Sequence, residues 1–202
     1  MTLIIGDVHG KSKEYLKIIS TCESSIQIGD FGFNYDCFKD IDPKSHVFFP
    51  GNHDNFNVVE ACPNYLGRFG NTSINGLSFF FICGAYSIDQ WARTEGRSWW
   101  RDEELSYEES SRCLTKYVAH QPDVVVSHDC PGIVSATMFN KTDRTRTRQL
   151  LGEMFARWKP RYWLFGHWHS SKRIEIQGTK FVCLAELETF DSKEFFNKGN
   201  RK

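Results

Sequence analysis

Eight residues of this chain have types and positions suited to a catalytic centre: Asp7, His9, Asp30, Asn52, His53, His128, His167 and His169. Each lies where a short apolar run gives way to a polar loop. Their donors are oxygen and nitrogen with no thiolate, which excludes a Cys-type structural zinc and suits octahedral or five-coordinate Mn²⁺, Fe or Zn²⁺. If the loop ends meet, buried carboxylates and imidazoles without a basic partner cost less when they coordinate cations than when they stand alone. So many donors are too many for one transition metal and right for two, with a carboxylate between them. Turn chemistry would explain Gly-Asp, Asn-His-Asp or Gly-His taken singly. It does not call for histidine, and of the seven histidines only His46 and His120 fall outside the set; both are read as ordinary.

The elements that must position these residues follow from the apolar pattern. Thr2–Ile5, Ser25–Ile28, His46–Phe49, Val124–Ser127 and Tyr162–Phe165 are short, near-continuous apolar or β-rich runs, and each leads into one of the polar clusters. Runs of this kind separated by helical stretches predict an α/β protein with a largely buried sheet, whose loop ends converge on one side. Helices are expected over Glu14–Ile19, Glu103–Ala119 and Arg144–Trp158; in the last, Leu150, Leu151, Met154, Phe155 and Trp158 share one face. Two hairpins interrupt this rhythm, Ser73–Ile82 around Asn75-Gly76 and Lys172–Leu184 around Gln177-Gly178. The stretch after Glu188 is expected to fray.

The strings Gly6-Asp7-Val8-His9, Gly29-Asp30, Gly51-Asn52-His53-Asp54, His128 and Gly166-His167-Trp168-His169, in that order, resemble the calcineurin-like metallophosphoesterase superfamily. The resemblance implies two mixed β-sheets packed as a sandwich and flanked by α-helices, in a single domain over 1–190 followed by a flexible tail at 191–202. It implies two divalent metal ions, manganese first, with iron, zinc, nickel or cobalt as alternatives. Asp7, His9 and His169 would hold one ion and Asn52, His128 and His167 the other, with Asp30 bridging. His53 would act as general acid toward the leaving oxygen or hold the phosphoryl group. Two cations about 3.5–4 Å apart would supply a hydroxide at neutral pH and neutralise the phosphoryl oxygens for in-line attack.

The Ser/Thr phosphoprotein phosphatases of that superfamily continue the second motif as GDxVDRG and write the third as GNHE. This chain has Gly29-Asp30-Phe31-Gly32-Phe33-Asn34 and Gly51-Asn52-His53-Asp54. The missing Asp-Arg-Gly moves the expectation to phosphodiesters of nucleotide or nucleic-acid type, with a phosphomonoesterase or protein phosphatase as the alternative. A non-catalytic scaffold of the same fold is the alternative from another class, and the full ligand set argues against it. Arg93, Arg97 and Arg101, among three tryptophans in the 84–102 stretch, are candidate substrate contacts if that stretch is a lid; otherwise it is a loop pinned by its tryptophans. Arg144, Arg146 and Arg148 are read as a solvated basic run more than as a guide for polyanions. Asp54 and Asp129 either orient imidazoles or cap loops, and Trp168 is expected to pack behind the site.

Whole-chain properties bound these readings. The 202 residues carry 25 basic and 25 acidic side chains and a net charge of zero, so the chain lacks the electrostatic footprint of a general nucleic-acid binder. A small or end-specific substrate fits better than a long polymer. No apolar run reaches the roughly 20 residues that span a bilayer, and the first residues do not read as a signal peptide. Seven cysteines without CxxC spacing are expected to be reduced, in a cytoplasmic protein.

Overall fold

The computed structural model describes residues 1–196. Ten strands form two mixed sheets. The four-stranded sheet, in the order β10-β1-β2-β3, is built from β1 (Thr2–Ile5), β2 (Ser24–Gln27), β3 (His46–Phe48) and β10 (Thr189–Asp191). The six-stranded sheet, β4-β5-β6-β7-β9-β8, combines β4 (Phe69–Ile74), β5 (Leu77–Ile82), β6 (Val124–Ser127), β7 (Tyr162–Phe165), β8 (Lys172–Ile176) and β9 (Thr179–Cys183). Parallel pairs make up its centre, and the two expected hairpins supply antiparallel edges. Asn75-Gly76 and Gln177-Gly178 both turn with positive φ, the geometry that joins two strands through a two-residue loop.

The inner strands β1, β6 and β7 are buried along their whole length because both faces are covered. Ile4, Ile26 and Val47 of the smaller sheet join Phe80, Val125, Leu164 and Phe181 of the larger in one core. On the outer face of the smaller sheet, Leu3, Ile5 and Phe48 pack with Tyr15 and Ile19 of α1 (Ser12–Ile19). Two further helices, α3 (Tyr107–His120) and α5 (Arg146–Arg157), contribute Cys113, Tyr117, Leu150, Leu151, Met154 and Phe155 to the larger core. The short α2 (Phe56–Val59) and α4 (Gly132–Phe139) lie between strands.

Two expectations are corrected. The helix expected from Glu103 begins instead at Tyr107, because Ser106 forms a capping box with Glu109 and Glu103 ends a 3-10 turn with its side chain bonded to Ser87. The frayed stretch after Glu188 is ordered through residue 196: β10 pairs antiparallel with β1, and Phe190 and Phe195 are buried. Lysines and asparagines hide this in the sequence, but two buried phenylalanines outweigh them. The remainder of the expected tail lies outside the described residues.

The loops after β2 and β3 are tied together by one carboxylate. Asp54 is fully buried, and it accepts from the N–H groups of Phe31, Gly32 and Gly51 at 3.2, 3.1 and 2.7 Å and from the Tyr35 hydroxyl at 2.9 Å. Burial first, and the charge of Asp30 second, push its pKa up to about 6, against the pull of those donors. Truncation leaves several buried donors unpaired, each worth about 1–3 kcal/mol. Asp54→Ala is therefore expected to lower unfolding free energy by at least about 3 kcal/mol in urea denaturation; a loss below about 1 kcal/mol would show that this tie is dispensable.

Candidate metal centre

All the candidate ligands sit on loops that leave the C-terminal ends of parallel strands: Asp7 and His9 after β1, Asp30 after β2, Asn52 after β3, His128 after β6, and His167 with His169 after β7. Backbone bonds stitch these loops to one another. The N–H groups of Val8 and His9 both donate to the Asp30 carbonyl at 2.9 Å, and Gly166 N–H donates to the His128 carbonyl at 3.0 Å. His167 N–H donates to both carboxylate oxygens of Asp7 at 3.1 Å, and His53 N–H donates to Asp30 Oδ1 at 2.7 Å.

Two donor sets result. Asp7, His9, Asp30 and His169 each offer one atom within 4.8 Å of all the others. His9 Nε2 and His169 Nε2 face each other at 2.8 Å, and His169 Nε2 stands 3.2 Å from Asp7 Oδ2. In the second set His128 Nε2 lies 3.1 Å from Asn52 Oδ1 and 3.2 Å from Asp30 Oδ1, and the His167 ring is 5.2 Å from that of His128. Asp30 joins the sets, its Oδ2 lying 3.9 Å from His9 Nε2 while Oδ1 faces His128.

Proton placement tests whether a cation fits here. His128 Nδ1 donates to the Ile28 carbonyl at 2.9 Å, so in a neutral ring Nε2 is a bare lone pair. The Asn52 amide donates through Nδ2 to Ser87 Oγ at 3.0 Å, which turns its Oδ1 toward the same spot. Three acceptors, counting Asp30 Oδ1, therefore point at one another with nothing between them to donate. Cis ligands on a first-row ion at about 2.1 Å stand about 3 Å apart, which matches the observed separations. Without a metal the carboxylates draw a proton instead: burial opposes charge on His128, but Asp30 and then Asp7 overcome it and push its pKa up to about 10. Burial likewise works against ionised Asp7, yet His169 and His9 hold it below the ordinary carboxylate value; Asp30 is lowered chiefly by His128 against the same penalty. His167, half-buried at the cavity, has its pKa lowered by burial.

The backbone is strained where the ligands sit. His9, Asp30, His167 and His169 all have positive φ, between 45° and 67°, a conformation that non-glycine residues seldom take and that clusters at functional sites. Two glycines give the carboxylates room: a Cβ on Gly51 would stand 2.1 Å from Asp30 Oδ1, and one on Gly166 would stand 2.1 Å from Asp7 Oδ1.

His53 faces a cavity of about 360 Å³ above the ligands, which Arg93 also lines. The Arg93 guanidinium lies against the imidazole, with Nη1 3.2 Å from Nδ1 and Nη2 2.9 Å from Nε2. Asp89 holds that guanidinium in a fork at 2.7 and 2.8 Å, and the Ser98 carbonyl takes a third bond. The His53 pKa is lowered by burial first and by Arg93, against the opposing pull of Asp30. Of the other two candidate arginines, Arg97 is exposed and Arg101 pairs with Glu95, both away from this cavity. Arg148, read as solvated, is 4% exposed and bonded to Asp129 at 2.8 Å. Trp168, expected to pack behind the site, instead lines this cavity half-buried, stacked on Phe139 at 4.1 Å with its Nε1 donating to Asp129. All seven cysteines are free.

The Calcineurin-like phosphoesterase family model matches residues 1–171. The chain belongs to the calcineurin-like phosphoesterase family. It is a metal-dependent phosphoesterase, and the family's use of divalent metals agrees with the donor sets described above. A lariat debranching enzyme of Entamoeba histolytica is 24% identical over 241 aligned positions, which cover 91% of this chain and 68% of that protein. Among solved structures, a phosphopantetheinyl hydrolase from Mycobacterium tuberculosis superposes with a TM-score of 0.51 at 13% identity, covering 98% of this chain and 93% of that one. A putative 5′-nucleotidase from Staphylococcus aureus superposes at 0.55 and 12% identity, covering 96% and 51%. At such identities the two structures share the fold of this calcineurin-like phosphoesterase.

Sequence reasoning missed the support behind Asn52. Ser87 Oγ, which accepts from the Asn52 amide, donates to the buried Glu103 carboxylate at 2.6 Å, and Glu103 also accepts from Ser87 N–H and Gln90. The partners lie 35 and 51 positions from Asn52 in the chain, so no local motif reveals them. Residues that orient a ligand typically contribute about 10–100-fold to metal affinity. Ser87→Ala is expected to weaken divalent-metal binding about tenfold or more in equilibrium calorimetry with Mn²⁺ as the probe; unchanged affinity would remove Ser87 from the site's support.

Proposed function

We propose that this phosphoesterase hydrolyses a phosphodiester of nucleotide or nucleic-acid type at a dinuclear centre. Asp7, His9 and His169 would hold one ion and Asn52, His128 and His167 the other. The observation that carries this reading is Asp30, whose two oxygens turn to the two donor sets at 3.9 and 3.2 Å. When bound, divalent ions supply positive charge for the phosphoryl oxygens and acidify water near neutral pH.

The chain's own residues do the rest. Arg93, fixed by Asp89 before any ligand arrives, presents its guanidinium to a non-bridging phosphoryl oxygen, the kind of planar donor suited to that partner. His53 stands beside it in the same cavity and passes a proton to the departing oxygen. Burial and Arg93 both disfavour charge on the imidazole, and the negative charge of an entering phosphoryl group offsets both effects. Similarity to a lariat debranching enzyme supports a nucleic-acid type of ester over a phosphoprotein, in line with the missing Asp-Arg-Gly.

Purified protein with Mn²⁺ is expected to turn over bis-p-nitrophenyl phosphate faster than the monoester, and a chelator is expected to stop it. Failure on both esters with Mn²⁺, Fe, Zn²⁺, Ni²⁺ and Co²⁺ would overturn the reading. Asp30→Asn should abolish turnover and reduce bound metal. His53→Ala should keep its metal and lose about 10²–10⁴ in kcat, the usual contribution of a positioned acid; loss of metal from this variant would make His53 a ligand instead.

A further inference from the structure

A second cavity adjoins the one above the ligands. Its volume is about 640 Å³, within the roughly 300–1,000 Å³ of small-molecule sites. The two cavities meet at Tyr86, Ile88 and Asp143, which line both. Three aromatic side chains, Tyr86, Trp99 and Tyr107, and three guanidinium groups, Arg101, Arg144 and Arg146, line the second.

Its three acidic residues are engaged, Asp143 with Arg148 at 3.4 Å although its carboxylate stays exposed. Glu103 is bonded to Ser87 and Gln90, while Glu104 accepts from Thr147 N–H at 2.8 Å and faces Arg146 at 3.8 Å. Arg144 is exposed and makes no ion pair among the described residues. Tyr107, at the first position of α3, is 79% exposed, and the Arg146 guanidinium sits 5.6 Å from its ring centre. A large aromatic open to water at the mouth of a cleft is the kind of surface on which a planar ring stacks. The arginines add planar, weakly hydrated cations suited to ring faces and phosphate oxygens. The balance of aromatic faces with a few guanidinium groups matches one nucleoside with its phosphate better than a long polyanion, in keeping with the zero net charge of the chain.

We propose that this cleft is a nucleoside subsite: it takes the base and sugar on one side of the scissile phosphodiester, with Tyr107 as stacking platform and Arg144 as an anchor for the adjoining phosphate. The inference rests on the phosphodiesterase reading above and names the group that distinguishes its substrate from a simple aryl ester. It also gives the neighbouring loop a role that does not require Arg97 or Arg101 to reach the metals.

The test compares the metal-loaded wild-type protein with Tyr107→Ala and Arg144→Ala, both at exposed side chains. Substrates are a dinucleotide and bis-p-nitrophenyl phosphate, and calorimetry measures binding of a nucleoside 5′-monophosphate against phenyl phosphate. Loss of a stacking platform should raise the KM for the dinucleotide about tenfold in Tyr107→Ala, while kcat/KM for the aryl diester stays within about twofold in the same comparison. Wild-type protein should bind the nucleotide more tightly than phenyl phosphate, and a variant carrying both Tyr107→Ala and Arg144→Ala should lose that preference. Equal effects on both substrates, no effect on either, or wild-type binding that does not favour the nucleotide would overturn the subsite. Failure of wild-type protein to cleave the aryl diester would instead count against the phosphodiesterase reading, and the calorimetric comparison would still decide the subsite.

Discussion

Everything at the centre of this molecule depends on acceptors that face acceptors. Asp7 and Asp30 are buried, and their near neighbours are imidazoles; no lysine or arginine pairs with either among the described residues. Burial of such a set in a low-dielectric interior is unfavourable unless positive charge joins it. The chain provides that charge only by protonating histidines, which is why His9, His128 and His169 all have raised pKa values. Divalent ions replace those protons with greater charge and leave the imidazole lone pairs free to coordinate. The charge deficit that is costly for the bare protein is therefore the source of its affinity for metal.

Backbone interactions hold this arrangement in place. Val8, His9, His53, Gly166 and His167 all donate N–H bonds across the gaps between loops. These bonds bear the strain of four left-handed residues in one site, each costing of order 1–3 kcal/mol. Asp54 performs the same service one layer further out, gathering three N–H groups and a hydroxyl. A site assembled this way has its ligands close to final geometry before an ion arrives, so little binding energy goes into ordering loops.

Much of the site was legible in the sequence because histidines and carboxylates at strand ends are informative out of proportion to their number. Asp7, Asp30, Asn52 and His128 are near-contiguous with apolar runs that could only be buried strands, and the two Gly-containing hairpins announced a mixed sheet. What stayed hidden depends on partners distant in the chain. Glu103 read as the start of a helix because nothing nearby shows that its carboxylate is taken by Ser87. Arg148 read as solvated because its partner Asp129 lies 19 residues away. The strand at Thr189–Asp191 was lost among polar neighbours, since its support comes from pairing with β1 at the other end of the chain.

The 84–102 stretch is where fold and chemistry meet most tightly. One end is fixed by Gly84, whose positive φ and missing Cβ let the Glu103 carbonyl approach to within 2.0 Å of where a Cβ would lie. The other end is fixed by Trp100, buried and set against Phe33 at 5.3 Å. Between them, Ser87 joins Glu103 to the Asn52 amide. Swinging the whole stretch open would release Asn52 and turn a ligand away from the site. Motion that preserves the ligand set is thus restricted to the middle of the loop, around the 88% exposed Trp91. Arg93, braced by Asp89 and Ser98 against His53, belongs to a wall of the cavity, which opens into the neighbouring cleft at Tyr86 and Ile88.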